Sequence, residues 1–78
     1  MKKPSKERIL SAIRSHRPSK EAMGVCEDLL SVYDPMDVSY DAIDGACCDA
    51  FPYAGKYETR DIANEVTRIL DASIREAC

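Results

Sequence analysis

Carboxylates are the residues of this sequence whose type and spacing first suggest a chemical role. The segment DPMDVSYDAIDGACCDA, residues 34–50, holds five aspartates and no lysine or arginine, although the whole chain carries 11 basic and 14 acidic residues. A calcium loop would need oxygen ligands at alternating positions before a glycine, and the order Asp41, Ile43, Asp44 does not supply them. The aspartate row therefore predicts a charged surface rather than a calcium site.

Cysteine and histidine are the other residues that could bind a metal or take part in catalysis. The cysteines are Cys26, Cys47, Cys48 and Cys78, and no CxxC pair occurs among them. Cys26 and Cys47 fall on apolar stripes, where a free cysteine packs as a small hydrophobic residue. His16 stands at the end of a predicted helix, where the helix dipole favours a cation, so a capping role is expected. No serine or cysteine lies at a spacing from His16 that is typical of a nucleophile and its base. The sequence therefore predicts no enzyme activity, no cofactor and no metal site.

The apolar periodicity predicts an all-α fold, a compact bundle of about four short amphipathic helices. These helices are expected at about residues 5–16, 19–33, 39–51 and 59–76. Their expected N-caps are Ser5, Ser19, Ser39 and Thr59. No run shows sustained alternation with a period of two, so no sheet is predicted. We expect one domain over residues 1–78, with residues 1–4 as a flexible basic terminus.

The apolar positions of the four helices predict a small aliphatic core. Its expected members are Ile9, Leu10, Ala12, Ile13, Ala22, Val25, Cys26, Leu29, Tyr33, Tyr40, Ile43, Ala46, Cys47, Ala50, Phe51, Ile62, Ala63, Val66, Ile69, Leu70, Ser73 and Ile74. The chain has four tyrosines, one phenylalanine and no tryptophan, so this core is expected to be marginally stable. It leaves surface for a partner or a second copy, and we expect a monomer or a homodimer.

Hydropathy predicts a protein of the cytoplasm. The basic start is followed by no apolar signal region, and no stretch approaches the roughly 18 apolar residues of a membrane span. No membrane association is expected, and the thiols should be reduced in that compartment.

Charge is distributed unevenly along the chain. Residues 1–20 hold seven bases and one acid, whereas residues 21–55 hold eight acids and no base. Asp41 and Asp44 are three residues apart on the predicted third helix. Asp37 lies four residues before Asp41 and would share their face if the turn at Asp37 continued into that helix. Like charges at such helical spacings cost roughly 0.2–0.5 kcal/mol per pair. The acids are therefore either neutralised by the basic first helix or used to bind a partner.

The second alternative leads to the predicted function, a small non-enzymatic module that binds a basic protein. Its expected contact residues are Glu27, Asp28, Asp34, Asp37, Asp41, Asp44 and Asp49. A helix carrying carboxylates can occupy a basic nucleic-acid-binding surface in place of phosphates. By analogy of class, this is the role of inhibitors used by phages and mobile elements. Direct nucleic-acid binding is not expected, given the net charge of −3.

Two other functions stay open. The segment YETRDIANEVTRIL resembles the first helix of helix-turn-helix regulators, through Thr59, Asp61, Ile62 and Ala63. That resemblance implies DNA binding, with the basic arm of residues 1–17 touching phosphates, but the glycine turn that should follow Ala63 is missing. The other alternative is a structural or adaptor module with no link to nucleic acid.

Overall fold

The computed structural model describes residues 4–78, and all regular structure in this part of the chain is helical. The elements are α1 (Lys6–Ser15), α2 (Lys20–Val32), a short 3-10 helix (Pro35–Asp37), α3 (Tyr40–Ala50) and α4 (Lys56–Ala77). The predicted all-α bundle of four helices is therefore confirmed. Of the terminus expected to be flexible, residues 1–3 lie outside the described residues, and Pro4 is half-buried.

Serine side chains begin three of the four α-helices, as predicted. Ser5, Ser19 and Ser39 each accept a hydrogen bond from the backbone N–H three residues later, at an Oγ···N distance of 3.2 Å. Each bond satisfies one of the backbone donors that a helix start leaves without a partner. Asp34 similarly begins the 3-10 helix, because its carboxylate accepts the N–H of Met36 at 3.0 Å.

The predicted start of α4 at Thr59 was wrong. The helix begins three residues earlier, with Gly55 as its N-cap and no side-chain cap. Thr59 is buried in the first turns, and its hydroxyl donates to the carbonyl of Lys56 at 3.0 Å. Glycine is tolerated at an N-cap, so the helix can begin at the loop residue Gly55, before Thr59.

The connection between α1 and α2 turns at Arg17. Its backbone has a φ of 51°, in the left-handed region that favours glycine, and its N–H donates to the carbonyl of Arg14. This is a common way to end a helix, here at a cost of roughly 1 kcal/mol because the residue is not glycine.

The core lies around α4, which packs against α1, α2 and α3. The buried apolar residues are Ile9, Ile13, Ala22, Val25, Cys26, Leu29, Leu30, Ile43, Cys47, Ala63, Val66, Ile69, Leu70 and Ala77. Ser73 is also fully buried, and its Oγ has no hydrogen-bond partner among the described residues. Leu10, Ala46, Phe51, Ile62 and Ile74 pack half-buried at the margin.

Three of the expected core residues are exposed. Tyr33 is 42% exposed and Tyr40 is 44% exposed, and Ala50 is exposed at the last position of α3. Tyr33 lies beyond the end of α2 in extended conformation, so its side chain leaves the apolar stripe of that helix. Tyr40 begins α3, and its hydroxyl donates to Oδ1 of Asn64 at 3.2 Å.

Polar side chains also join the other helices to α4. Both carboxylate oxygens of Glu65 accept hydrogen bonds from Ser19, one from its N–H and one from its hydroxyl, each at 2.9 Å. His16 is the C-cap of α1, as expected for a residue at a helix end, and its Nε2 lies 3.0 Å from Oε1 of Glu76. These contacts join the start of α2 to the middle of α4 and the end of α1 to the last turn of α4.

Candidate acidic groove

A surface cleft runs between α2 and α3, and we call it the acidic groove. Its volume is about 480 Å³, and ten residues of the two helices and their ends line it. Seven of these carry apolar or no side chains: Leu29, Val32, Tyr33, Ala42, Gly45, Ala46 and Ala50. The other three lining residues are Asp28, Asp41 and Asp49.

Small side chains on α3 explain why the groove is open. Ala42, Gly45, Ala46 and Ala50 recur at spacings of three and four, which place them on one face of the helix. A Cβ atom added to Gly45 would meet nothing within 4 Å. The α3 wall is therefore low, whereas α2 contributes the larger side chains of Leu29 and Val32.

The three carboxylates lie on both walls of the groove. Asp28 belongs to α2, and Asp41 and Asp49 belong to α3, where their separation of eight residues keeps them on one side of the helix. All three are exposed, and no basic residue lines the groove. The arrangement is an apolar furrow with a negative rim, suited to apolar groups that are accompanied by positive charge.

The other four acids expected at the contact surface lie outside the groove lining. Glu27 and Asp37 are exposed, and Asp44 is half-buried near Cys47, whose pKa it raises. Asp37 does not extend the row of aspartates on α3. The 3-10 helix ends at Asp37, and the next two residues, Val38 and Ser39, have extended backbones.

Asp34 caps the 3-10 helix beside a second cleft. That cleft has a volume of about 420 Å³ and is also lined by Pro4, Lys6 and Met36. Val32 and Tyr33 line both clefts, so the apolar floor of the acidic groove continues toward the 3-10 helix.

Neutralisation by the basic first helix was the alternative explanation for the acids. Within residues 4–78, none of the six acids Glu27, Asp28, Asp37, Asp41, Asp44 and Asp49 forms a salt bridge. The salt bridge described there joins Arg75 to Asp71 at 2.6 Å within α4, and Nε2 of His16 lies 3.0 Å from Oε1 of Glu76. In this part of the chain the basic helix α1 packs against α4 and α2, and its bases make no salt bridge to the rim of the groove.

The buried thiols have the character of core residues. Burial raises the pKa of Cys26 to about 11, with a further rise from Glu65, and burial followed by the charge of Asp44 raises the pKa of Cys47 to about 11. Both thiols are therefore protonated near neutral pH, and a protonated thiol is a poor nucleophile and metal ligand. Among residues 4–78, no group of three or more His, Cys, Asp or Glu side chains is placed to hold a metal ion.

Sequence reasoning named the three carboxylates of the groove but missed its apolar floor. Tyr33, Ala46 and Ala50 are among the expected core residues, yet Tyr33 and Ala50 are exposed. Val32 is not among the expected contact residues, and its side chain is 73% exposed. The available signal was the alternation of small and acidic residues along α3, in which Gly45 stands midway between Asp41 and Asp49.

Comparison with protein-family models, with curated proteins and with solved structures finds no match to this chain. The segment that resembles the first helix of a helix-turn-helix motif is not followed by a turn and a second helix, because α4 runs without a break from Lys56 to Ala77. In the described part of the chain, no helix combines the length and apolar character needed to cross a membrane.

Proposed function

We propose that this chain binds a positively charged surface of a partner protein through the acidic groove, and that it thereby acts as an inhibitor of nucleic-acid binding by that partner. The observation that carries the proposal is the set of three carboxylates, with no base among them, on the rim of an apolar cleft. Basic surfaces that bind nucleic acid are the large positive surfaces such a rim complements. Inhibitors of this kind are used by phages and mobile elements.

Two physical effects support the proposal. Long-range attraction between a negative rim and a basic surface raises the association rate, and this effect weakens as salt is added. The apolar floor then adds binding energy that salt does not screen, because binding removes the exposed side chains of Val32 and Tyr33 from water. The rim acids have no salt-bridge partner within residues 4–78, so in that part of the chain a basic partner displaces no internal ion pair.

The test compares two charge-neutralised variants with equal changes in net charge. Asp41→Asn with Asp49→Asn removes charge from the rim, and Glu27→Gln with Asp37→Asn removes the same charge from exposed positions elsewhere. Each immobilised protein is incubated with nuclease-treated cell lysate, and the captured proteins are identified by mass spectrometry. A gel shift with random-sequence DNA is run on the chain alone and on the chain with its captured partner.

The expected result is capture of a basic, nucleic-acid-binding protein by the parent and by the Glu27/Asp37 variant, with loss of capture by the Asp41/Asp49 variant. The chain alone should not retard DNA, and its addition should release DNA from the partner. Retardation of DNA by the chain itself would favour the helix-turn-helix alternative. Capture of a partner that lacks a basic surface would favour an adaptor module.

A further inference from the structure

We infer that the acidic groove receives one α-helix of its partner, and that this helix carries an apolar stripe flanked by lysine or arginine. The inference rests on the proposed function and adds to it the shape of the segment that is bound. It follows from the apolar floor, the absence of a sheet edge in residues 4–78 and the placement of the rim charges.

The floor of the groove requires apolar groups from the partner. Val32 is 73% exposed and Tyr33 is 42% exposed, and both line the cleft together with the small residues of α3. A partner that brought only charged side chains would leave this surface in water or would cover it with groups that pair poorly with it. An occupant with a row of apolar side chains buries the floor while its flanking bases meet the rim.

A helix suits the groove better than an extended segment. No strand occurs in residues 4–78, so this part of the chain offers no sheet edge to which an extended segment could add its backbone hydrogen bonds. The groove is lined by residues of two α-helices, whose backbone groups are largely hydrogen-bonded within the helices. An extended occupant would lose water from backbone groups without gaining partners, whereas a helix satisfies its own.

The rim charges set the spacing expected in the bound helix. Asp41 and Asp49 are eight residues apart on α3, which corresponds to about 12 Å along the helix axis. A helix lying along α3 would meet them with two bases about two turns apart, and a base on its other flank would meet Asp28. The small residues Gly45 and Ala46 permit a close approach, toward the lower end of the 8–10 Å range of helix separations.

Two synthetic peptides of equal composition provide the probe. Both contain about 15 residues of leucine, alanine, lysine and arginine. One has the apolar residues at helical spacing with bases on both flanks, and the other has the same residues reordered so that no amphipathic helix forms. Binding of each fluorescently labelled peptide is measured by anisotropy at low salt. The periodic peptide should bind the parent at least tenfold more tightly, with a gain of helix by circular dichroism.

Glycine substitutions supply a matched pair of variants. Gly45→Trp fills the groove and Gly24→Trp places the same side chain outside its lining, and at both positions an added Cβ would meet nothing within 4 Å. Gly45→Trp should weaken binding of the periodic peptide at least tenfold, and Gly24→Trp should change it less than twofold. Val32→Ala, a smaller change at an exposed position, should weaken binding about threefold without affecting the fold.

The outcomes separate this inference from the proposed function. Equal affinity for the two peptides, or binding that is unaffected by both Gly45→Trp and Val32→Ala, would overturn the helix inference. If the Asp41/Asp49 variant still lost its basic partner in that case, the proposed function would stand as recognition by charge alone. If that variant kept its partner, the proposed function would fall as well.

Discussion

The contacts of α4 differ in kind from those between α2 and α3. Side chains at the ends of α1, α2 and α3 reach α4 through polar contacts: His16 meets Glu76, Ser19 meets Glu65 and Tyr40 meets Asn64. Between α2 and α3, the described residues form no side-chain hydrogen bond or ion pair, and both helices contribute apolar residues to the common core.

This difference separates the part of the surface that serves the fold from the part that is available for binding. Around α4, carboxylates such as Glu65 and Glu76 are used as acceptors within the chain. Around the acidic groove, Asp28, Asp41 and Asp49 are exposed and form no salt bridge within residues 4–78. Acidic residues therefore have an internal role around α4 and an exposed position at the acidic groove.

The largest expected effect separates the buried part of the groove's apolar floor from its exposed part. Leu29 is 1% exposed, and Leu29→Ala should lower the free energy of unfolding by about 2–5 kcal/mol, because it removes buried methyl groups and leaves a cavity. Val32→Ala lies one turn further along α2 but should change stability by less than about 0.5 kcal/mol. Urea unfolding followed by circular dichroism measures both. A similar loss for both variants would mean that the groove is closed in solution.

The next effect concerns the thiols that the apolar contact between α2 and α3 buries. The pKa of Cys26 and of Cys47 is raised to about 11 from an ordinary value of 9.0. As the pH rises, the unfolded chain releases these protons first, so the stabilisation is complete below pH 9.0 and is lost toward pH 11. The free energy of unfolding should therefore fall by about 1 kcal/mol per thiol near pH 10.

Paired substitutions isolate the contribution of those thiols. Unfolding by urea, measured with reductant from about pH 8 to pH 11, should show a shallower decline for Cys26→Ala with Cys47→Ala than for the parent. The exposed pair Cys48→Ala with Cys78→Ala should decline as the parent does. Identical slopes for the two double variants would show that the buried thiols do not determine the alkaline loss of stability.

The smallest effect tests the polar side of the comparison. Glu65→Ala removes both acceptors of the Ser19 cap and should cost about 0.5–1 kcal/mol, since the exposed Ser19 donors exchange a carboxylate acceptor for water. Glu27→Ala removes an exposed carboxylate with no described partner and should be nearly neutral. Thermal unfolding compares the two. If Glu27→Ala proved as costly as Glu65→Ala, the distinction between structural and available acids would be lost.

The local elements of this protein could be predicted from residues close together in sequence. The caps Ser5, Ser19 and Ser39 depend on interactions within about four residues, so sequence pattern identifies them. The left-handed backbone of Arg17 was not predicted. The start of α4 was not predicted correctly, because both Gly55 and Thr59 are compatible with an N-cap. Gly55 is the N-cap, and Thr59 is buried within the helix. The exposure of Tyr33 depends on where α2 stops, which periodicity locates only within a residue or two.

By itself, the sequence determined the all-α class, most of the helix boundaries and the separation of bases from acids along the chain. The tertiary structure decided which acids share a surface, because the packing of α2 beside α3 brings Asp28 next to Asp41 and Asp49 and leaves Asp44 outside the lining. It also decided which carboxylates have internal partners, since Ser19 and Glu65 are 46 residues apart and meet only after α4 packs. Helical periodicity is a local property, whereas the neighbour across a groove is set by helix packing, which no spacing within one helix encodes.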